Sequence, residues 1–398
     1  MKTSFLLKNI KIYKWQISVP VLLWFTISIV AAIAEISRGA SSINNFLIFR
    51  GTFWHTIHQQ NLFAQYPNEY IDSNHYGPLF SILIAPFAVL PLYIGCFLWC
   101  IANIAILFYA VRKLPVSFTA QQIILLIGTL ELATSIHNVQ FNPMLTGWII
   151  LSYTFIKNKQ ECWATLFIIA GFLIKIYGIA GIVFFLFSEN KIKFIAYFIM
   201  WFIILFCLPI LLSSTHFLIQ SYQDWFNSLL EKNSANITIQ AQGNMQDISA
   251  MGLIRRPFKL SNFKDIYMLA PAAALIALPA LRFKQYKHTA YQLTYLAVAL
   301  ISVVVFSTGA ESPTYILAVL GVAIWYVLQD TKNKKWVHIL LVLVLIITSL
   351  SSTDLFPRYL YKVFILPYAL KALPCFLVWL IAVYQLFRKD FSKITTHY

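Results

Sequence analysis

The chain has 398 residues and is 60% hydrophobic, 16% aromatic and only 11% charged, with a mean hydropathy of +0.72. Soluble domains are about a quarter charged, so the composition excludes a soluble enzyme and implies a polytopic, all-α membrane protein. The net charge of +16 does not point to nucleic acid, because 19 of the 30 Lys and Arg sit in short links between apolar runs, the pattern of cytoplasmic membrane links.

The first basic cluster, Lys2/Lys8/Lys11/Lys14, precedes an apolar run predicted to span at 16–36. That run is too long for a signal-peptide core and has no small-residue cleavage pattern, so it reads as a retained span. Glu35 near its outer end either pairs with Arg38 or serves chemistry, since a carboxylate at membrane depth is costly. The link at 37–78 is expected outside. Within it, residues 43–57 place Ile43, Phe46, Phe53 and Ile57 near one helical face, which predicts a helix lying in the membrane plane.

The stretch YPNEYIDSNHYGP then sets Glu69 and Asp72 three residues apart, among Tyr66, Tyr70, His75 and Tyr76. Partial burial makes such a carboxylate a candidate general base, and the rings can stack on a sugar. The same residue types also suit an ordinary solvated turn. Residues 79–90, closed by Pro91, are predicted to form a half-span or a helix lying along the membrane.

Further spans are predicted at 92–111, 119–136, 143–156, 162–174, 178–188 and 191–213, with Arg112/Lys113, Lys157/Lys159 and Lys191/Lys193 inside. Glu131 leads into a polar run, Thr134, His137, Asn138, Gln140 and Asn142, suited to binding hydroxyls or phosphate, or to capping helices. Lys175, in AGFLIKIYGIAG, marks an outer turn; it either holds an anionic headgroup or snorkels. The link at 214–264, also outside, carries a second in-plane stretch, HFLIQSYQDWFNSLLEK, and then Arg255 and Arg256, again suited to an anion. Spans at 265–281, 289–307, 313–328, 336–351 and 364–387 bring the total to about twelve, with Glu311 at one more outer turn. The whole chain, 1–398, reads as a single membrane domain with both termini cytoplasmic. The five cysteines lie in apolar segments, and His55 with His58 is too small a set to assign a metal site, so no cofactor is expected, while the sequence leaves open whether a divalent ion assists.

Several of these segments resemble glycosyltransferase family 87, which includes polyprenyl-phosphate-mannose-dependent mannosyltransferases. Tyr76-Gly77-Pro78-Leu79-Phe80, Ala85-Pro86-Phe87-Ala88-Val89-Leu90-Pro91, Leu98-Trp99 and Asn103 resemble its "Y-P-P-L-F … P-L-A-L-L-P … L-W … N" stretch. Gln140-x-Asn142 and Ala170-Gly171-Phe172-Leu173-Ile174-Lys175 resemble its later "Q-x-N" and "G-x-x-x-x-K" segments. AESPTYILAVLGVAIW resembles an outer-turn segment of Bacteroidetes-type members. The resemblance implies a GT-C helical bundle that takes a sugar from a lipid-linked donor at the outer membrane face, usually with inversion.

Where the family commonly opens a "D-F-x-x-Y" segment with Asp, this chain reads Asn45-Phe46-Leu47-Ile48-Phe49. That departure moves the expected base to another carboxylate: Asp72 first, Glu69 second, Glu35 third. Lys175, Arg255, Arg256 and His75 are the candidates for the donor phosphate, and Tyr76, Gln140, Asn142 and Glu311 for substrate. The expected activity is transfer of a hexose, mannose the first candidate, from polyprenyl phosphate to a membrane-associated glycan or glycolipid, in a bacterial inner membrane. The rivals are a lipid or sugar carrier, which needs charged residues through the bilayer, and a non-catalytic relative.

Overall fold

The computed structural model describes residues 7, 9–12, 15–237, 245–260, 262–330 and 334–393. Lys2, Lys8, Lys14 and Lys332 of the basic clusters lie outside the described residues, as do residues 238–244 of the second long link. All twelve predicted spans fall on helices, and five of these helices are long and apolar enough to cross a membrane. Those five are Val19–Ser37, Leu92–Lys113, Phe118–His137, Lys191–Leu212 and Lys335–Ser352.

Three elements differ from expectation, each for a local reason. The first span starts at Val19 rather than 16, because Asn9–Ile12 and Trp15–Ser18 pair as an antiparallel ribbon with Asn9 opposite Ser18. Its residues are rich in Ile, which favours extended backbone, and Pro20 suits the helix's first turn. The segment predicted at 178–188 is a 3-10 helix, Ile176–Phe187. At about 2.0 Å per residue it extends further than the same residues would as an α-helix at about 1.5 Å. The last predicted span is entered through two short turns, Arg358–Leu360 and Tyr361–Ile365, and its α-helix runs over Ala372–Arg388.

The described chain groups into two compact units, Met1–Ile27, Leu114–Ser135 and Ser234–Tyr398 in one, and Ser28–Lys113 and Ile136–Asn233 in the other. The core of the first is the pair Thr289–Val305 and Tyr315–Val327, packed against each other and on Ala372–Arg388. Both are apolar on every side and buried almost throughout, as such helices must be inside a bundle. Gly321 lets them approach, since a Cβ there would stand 2.8 Å from the Ala297 carbonyl oxygen.

In the second unit Leu92–Lys113 packs on Asn142–Lys157, which packs on Glu161–Ile174, which packs on Lys191–Cys207. The segment 79–90 holds the short helix Phe80–Ala88, laid against Asn44–Ile57 and against Leu92–Lys113. Gly95 is needed there: a Cβ would be 2.2 Å from the Phe87 carbonyl oxygen. Phe49, Tyr76, Phe80, Trp99 and Phe141 form a connected group of aromatic rings, with edge-to-face and stacked contacts. This group anchors the start of the next helix beside the Tyr76 turn.

Candidate functional site

The second unit holds eight of the eleven expected site residues, four of them around the turn at Lys175. The helix Glu161–Ile174 stops there because Lys175 is extended, with φ −145° and ψ 120°. Two glycines make the reversal feasible: a Cβ on Gly178 would lie 2.2 Å from the Gly171 carbonyl carbon. The Lys175 ammonium donates to Asn142 Oδ1 at 2.8 Å and lies over the rings of Tyr177 and Tyr76, 4.9 and 5.5 Å from their centroids. Asn142 opens the helix Asn142–Lys157, with Pro143 in its first turn. The buried Asn103 side chain accepts from the Met144 N–H at 3.1 Å and so caps that helix end.

Tyr76 closes the arrangement from the first external link. Its hydroxyl donates to Gln140 Oε1 at 3.2 Å. The next residue, Gly77, donates its N–H to the Ile174 carbonyl at 2.9 Å. A Cβ on Gly77 would be 2.0 Å from the Leu173 carbonyl oxygen and 3.0 Å from Trp225. Tyr76, Gln140, Asn142 and Lys175 are therefore brought together, and glycine is the residue that permits it.

The three candidate bases sit apart, each with its own partners. Asp72 adopts φ +75°, a left-handed conformation that Asp tolerates; its carboxylate accepts from the Ser73 N–H at 2.8 Å. His75 Nε2 lies 3.8 Å from the same carboxylate and Lys232 Nζ 3.5 Å from it. His75, with Lys232, holds the Asp72 carboxyl well below the ordinary carboxylate range against the opposing effect of burial. At 3.8 Å the His75 contact is electrostatic rather than a direct hydrogen bond, and His75 Nε2 has no hydrogen-bond partner among the described residues. Its other ring nitrogen shares a hydrogen bond with Ser228 Oγ at 3.1 Å. Asn44 grips the main chain at Ile71 with a pair of hydrogen bonds of 2.7 and 2.8 Å.

Glu69 pairs with the buried His55, 3.1 Å away, and burial pushes the His55 pKa down despite this carboxylate. Tyr66 packs on the His55 ring at 4.0 Å. Glu35 is almost completely buried, 2.8 Å from Arg38 and 3.2 Å from His137. Asn45, at the position where an Asp was expected, donates to the Asn138 carbonyl.

Arg255, Arg256 and Glu311 belong to the first unit. Arg255 is buried and grips Asp247 through two bonds of 3.0 Å, with Asp265 at 2.5 Å on its third nitrogen. Arg256 donates to the Leu366 and Gln246 carbonyls. Glu311 accepts from the Gln246 side chain and starts the short turn Ser312–Thr314. Glu131, the carboxylate inside a span, meets Lys371 at 3.1 Å, both completely buried in that unit.

Sequence reasoning did not single out Trp225, Ser228 and Lys232, which face the Asp72–Tyr76 turn from the helix Thr215–Ile237. Their spacing of three and then four residues was the available signal.

A profile of glycosyltransferase family 87 matches residues 74–308, more than half of the chain. The match includes His75, Tyr76, Gln140, Asn142, Lys175, Arg255 and Arg256, and begins just after Asp72. No curated protein matches the sequence. Among solved structures, the chain is similar to ArnT from Cupriavidus metallidurans bound to undecaprenyl phosphate. That similarity has a TM-score of 0.38 at 12% identity, covering 91% of this chain and 76% of the other.

Proposed function

The chain belongs to glycosyltransferase family 87, and on that premise we propose that it moves a hexose, mannose first, from polyprenyl phosphate to a membrane-associated glycan or glycolipid. The observation that carries this reading is one continuous turn, residues 72–77. It bears an ionised carboxylate at Asp72, and at Tyr76 it meets the Lys175 ammonium.

In the proposed step the Asp72 carboxylate takes the proton of the acceptor hydroxyl. That oxygen bonds to the sugar's anomeric carbon as the bond from that carbon to the phosphate oxygen breaks, and the electron pair leaves with polyprenyl phosphate. Attack opposite the leaving group inverts the centre. Lys175, held by Asn142 and the two rings, offsets the charge growing on the phosphate, where such stabilisation counts most. Asp72, held below the usual carboxylate range rather than raised by burial, is ionised at neutral pH but a weaker base than an ordinary carboxylate, so its part in this step rests on placement.

All three nitrogens of the Arg255 guanidinium donate to carboxylates, and Arg256 donates to backbone carbonyls. We therefore give the phosphate role to Lys175 and keep the two arginines as structural. The reaction invokes no metal. The expected setting is a bacterial inner membrane, with the basic links and both termini on the cytoplasmic side and the site outside.

The test is to incubate purified protein in detergent with short-chain polyprenyl-phosphate mannose and a bacterial lipid extract. Mass spectrometry follows release of polyprenyl phosphate and a hexose-shifted product. Asp72→Asn should lower turnover at least about 100-fold, the usual scale of general-base loss. Full turnover in the variant would refute the assignment of the base.

A further inference from the structure

We propose that the helix Thr215–Ile237 positions the base, with Trp225, Ser228 and Lys232 fixing Asp72 and its neighbour His75 in the orientation that receives the acceptor hydroxyl. The proposal rests on the reading of Asp72 as base and assigns that reading a second element.

The geometry is a stripe of three polar groups used on a single turn. Residues 225, 228 and 232 lie on one helical face. The Trp225 indole N–H donates to the His75 carbonyl at 3.0 Å. Ser228 Oγ holds His75 Nδ1 at 3.1 Å, and Lys232 Nζ stands 3.5 Å from Asp72. The main chain, the imidazole and the carboxylate of the same four-residue turn are thus each held from the same helix. Two further contacts tie this helix region to the first link: Asp224 accepts from Asn61 at 3.2 Å, and Ser214 donates to Gln59 at 2.6 Å.

Simple docking of a surface helix does not account for this arrangement. Docking is served by apolar residues, and Leu218 and Trp225, both buried, supply it on this same face, so the contacts made by Ser228 and Lys232 are additional to it. Lys232 and Asp72 are both partly exposed, so their pair adds little to stability. What it does is orient. With Lys232 on one oxygen and the Ser73 N–H and His75 toward the other, the carboxylate has few rotamers left. Fixing Nδ1 on Ser228 points the opposite ring nitrogen at Asp72, because the two imidazole nitrogens face away from each other. The charged groups around Asp72 are His75 from its own turn and Lys232 from the helix; Asn44, on Asn44–Ile57, faces the neighbouring Ile71 as a neutral amide.

Lys232 and Ser228 are thus positioning residues, and their removal should change how the base titrates. The protein, ¹³C-labelled at Asp carboxyls, is titrated in detergent by infrared spectroscopy, with Asp72→Asn subtracted to isolate the Asp72 band. Lys232→Gln should raise the Asp72 midpoint by about one pH unit, the scale of a nearby charge, and Lys232→Arg should restore it. In turnover of short-chain polyprenyl-phosphate mannose, Lys232→Gln should move the acid limb of the pH profile upward by the same amount. Trp225→Phe combined with Ser228→Ala should lower kcat about tenfold with KM changed less than about twofold, the signature of lost orientation.

An Asp72 midpoint unmoved by Lys232→Gln overturns the proposal, whether or not the sugar donor is turned over. The outcome separates the two ideas. If Asp72→Asn is inactive while Lys232→Gln keeps the wild-type midpoint and profile, positioning fails and the base stands. If Asp72→Asn is fully active while the midpoint moves, the base assignment fails and the Lys232 contact stands.

Discussion

Gly77 is the position where a single methyl group should do most damage for the least chemical change. Its φ is not in the left-handed range, so alanine brings no backbone strain. It brings a collision: the new Cβ would lie 2.0 Å from the Leu173 carbonyl oxygen and 3.0 Å from Trp225. The first neighbour is backbone and cannot swing aside, so the turn must back away and lose the 2.9 Å hydrogen bond to Ile174. Overpacking costs about 1–3 kcal/mol and the hydrogen bond about 1 kcal/mol, for a total near 3 kcal/mol. Gly39→Ala is the control: nothing lies within 4 Å of its Cβ, but its φ is +99°, so only strain of about 1–2 kcal/mol applies. Apparent Tm in detergent, followed at one heating rate, should fall by roughly 6 °C or more for Gly77→Ala and by less for Gly39→Ala. Gly77→Ala should also lose turnover, since the same retreat pulls Tyr76 from Lys175. A Gly77→Ala protein within about 1 °C of wild type would refute the reasoning.

Other perturbations test other parts of the molecule. Lys371→Met alone should destabilise by about 3–5 kcal/mol, because it strands the buried Glu131 carboxylate, and adding Glu131→Gln should recover much of that loss; denaturation of the single and double variants checks it. Lys175→Met should cut kcat/KM for the lipid-linked donor by at least about tenfold, through lost phosphate stabilisation, while leaving Tm close to wild type. Burial lowers the His55 pKa below its ordinary 6.5, so the unfolded chain binds the proton more readily and stability is lost as pH falls below about 6.5. The drop in apparent Tm between pH 7.5 and 5.5 should therefore shrink in His55→Gln, and an unchanged drop counts against the burial argument.

Local patterns in the sequence located the helices and much of the site, because both depend on short-range signals. The apolar runs placed every predicted span, since burial in lipid or a bundle demands apolar side chains at nearly every position. Tyr76 stood out in a polar, aromatic link, Gln140 and Asn142 in a polar run at a helix end, and Lys175 among apolar residues, and they meet. What stayed hidden depends on distant pairing. Nothing near Glu131 indicates Lys371, 240 positions away. Arg255 looked available for an anion because its partner Asp247 precedes it across an apolar turn and Asp265 follows it in the next link. Lys232 was read as part of an amphipathic helix, because sequence shows a face but not what that face touches. The 3-10 backbone of Ile176–Phe187 was equally hidden, since its composition fits any buried helix.

Exposure and chain connectivity together select among the candidate bases. A base must reach an acceptor hydroxyl, which removes Glu35, 8% exposed at its side chain and held between Arg38 and His137. Glu69 and Asp72 are each about half exposed, so access alone does not separate them. Their partners do. Glu69 faces a buried imidazole against the Tyr66 and Tyr70 rings, so removing its side chain would leave His55 with a buried, unmatched Nε2. That is the signature of a residue holding the loop together. Asp72 instead shares its turn with Tyr76, and through Tyr76 and Gly77 that turn is fastened to Lys175 and Ile174. Movement of the proton acceptor is thereby tied to the cation that would meet the leaving group. A Glu69→Ala protein should accordingly lose stability first, seen as lower apparent Tm with turnover retained at low temperature. Asp72→Asn should show the reverse, and an exchange of these two phenotypes would make Glu69 the base.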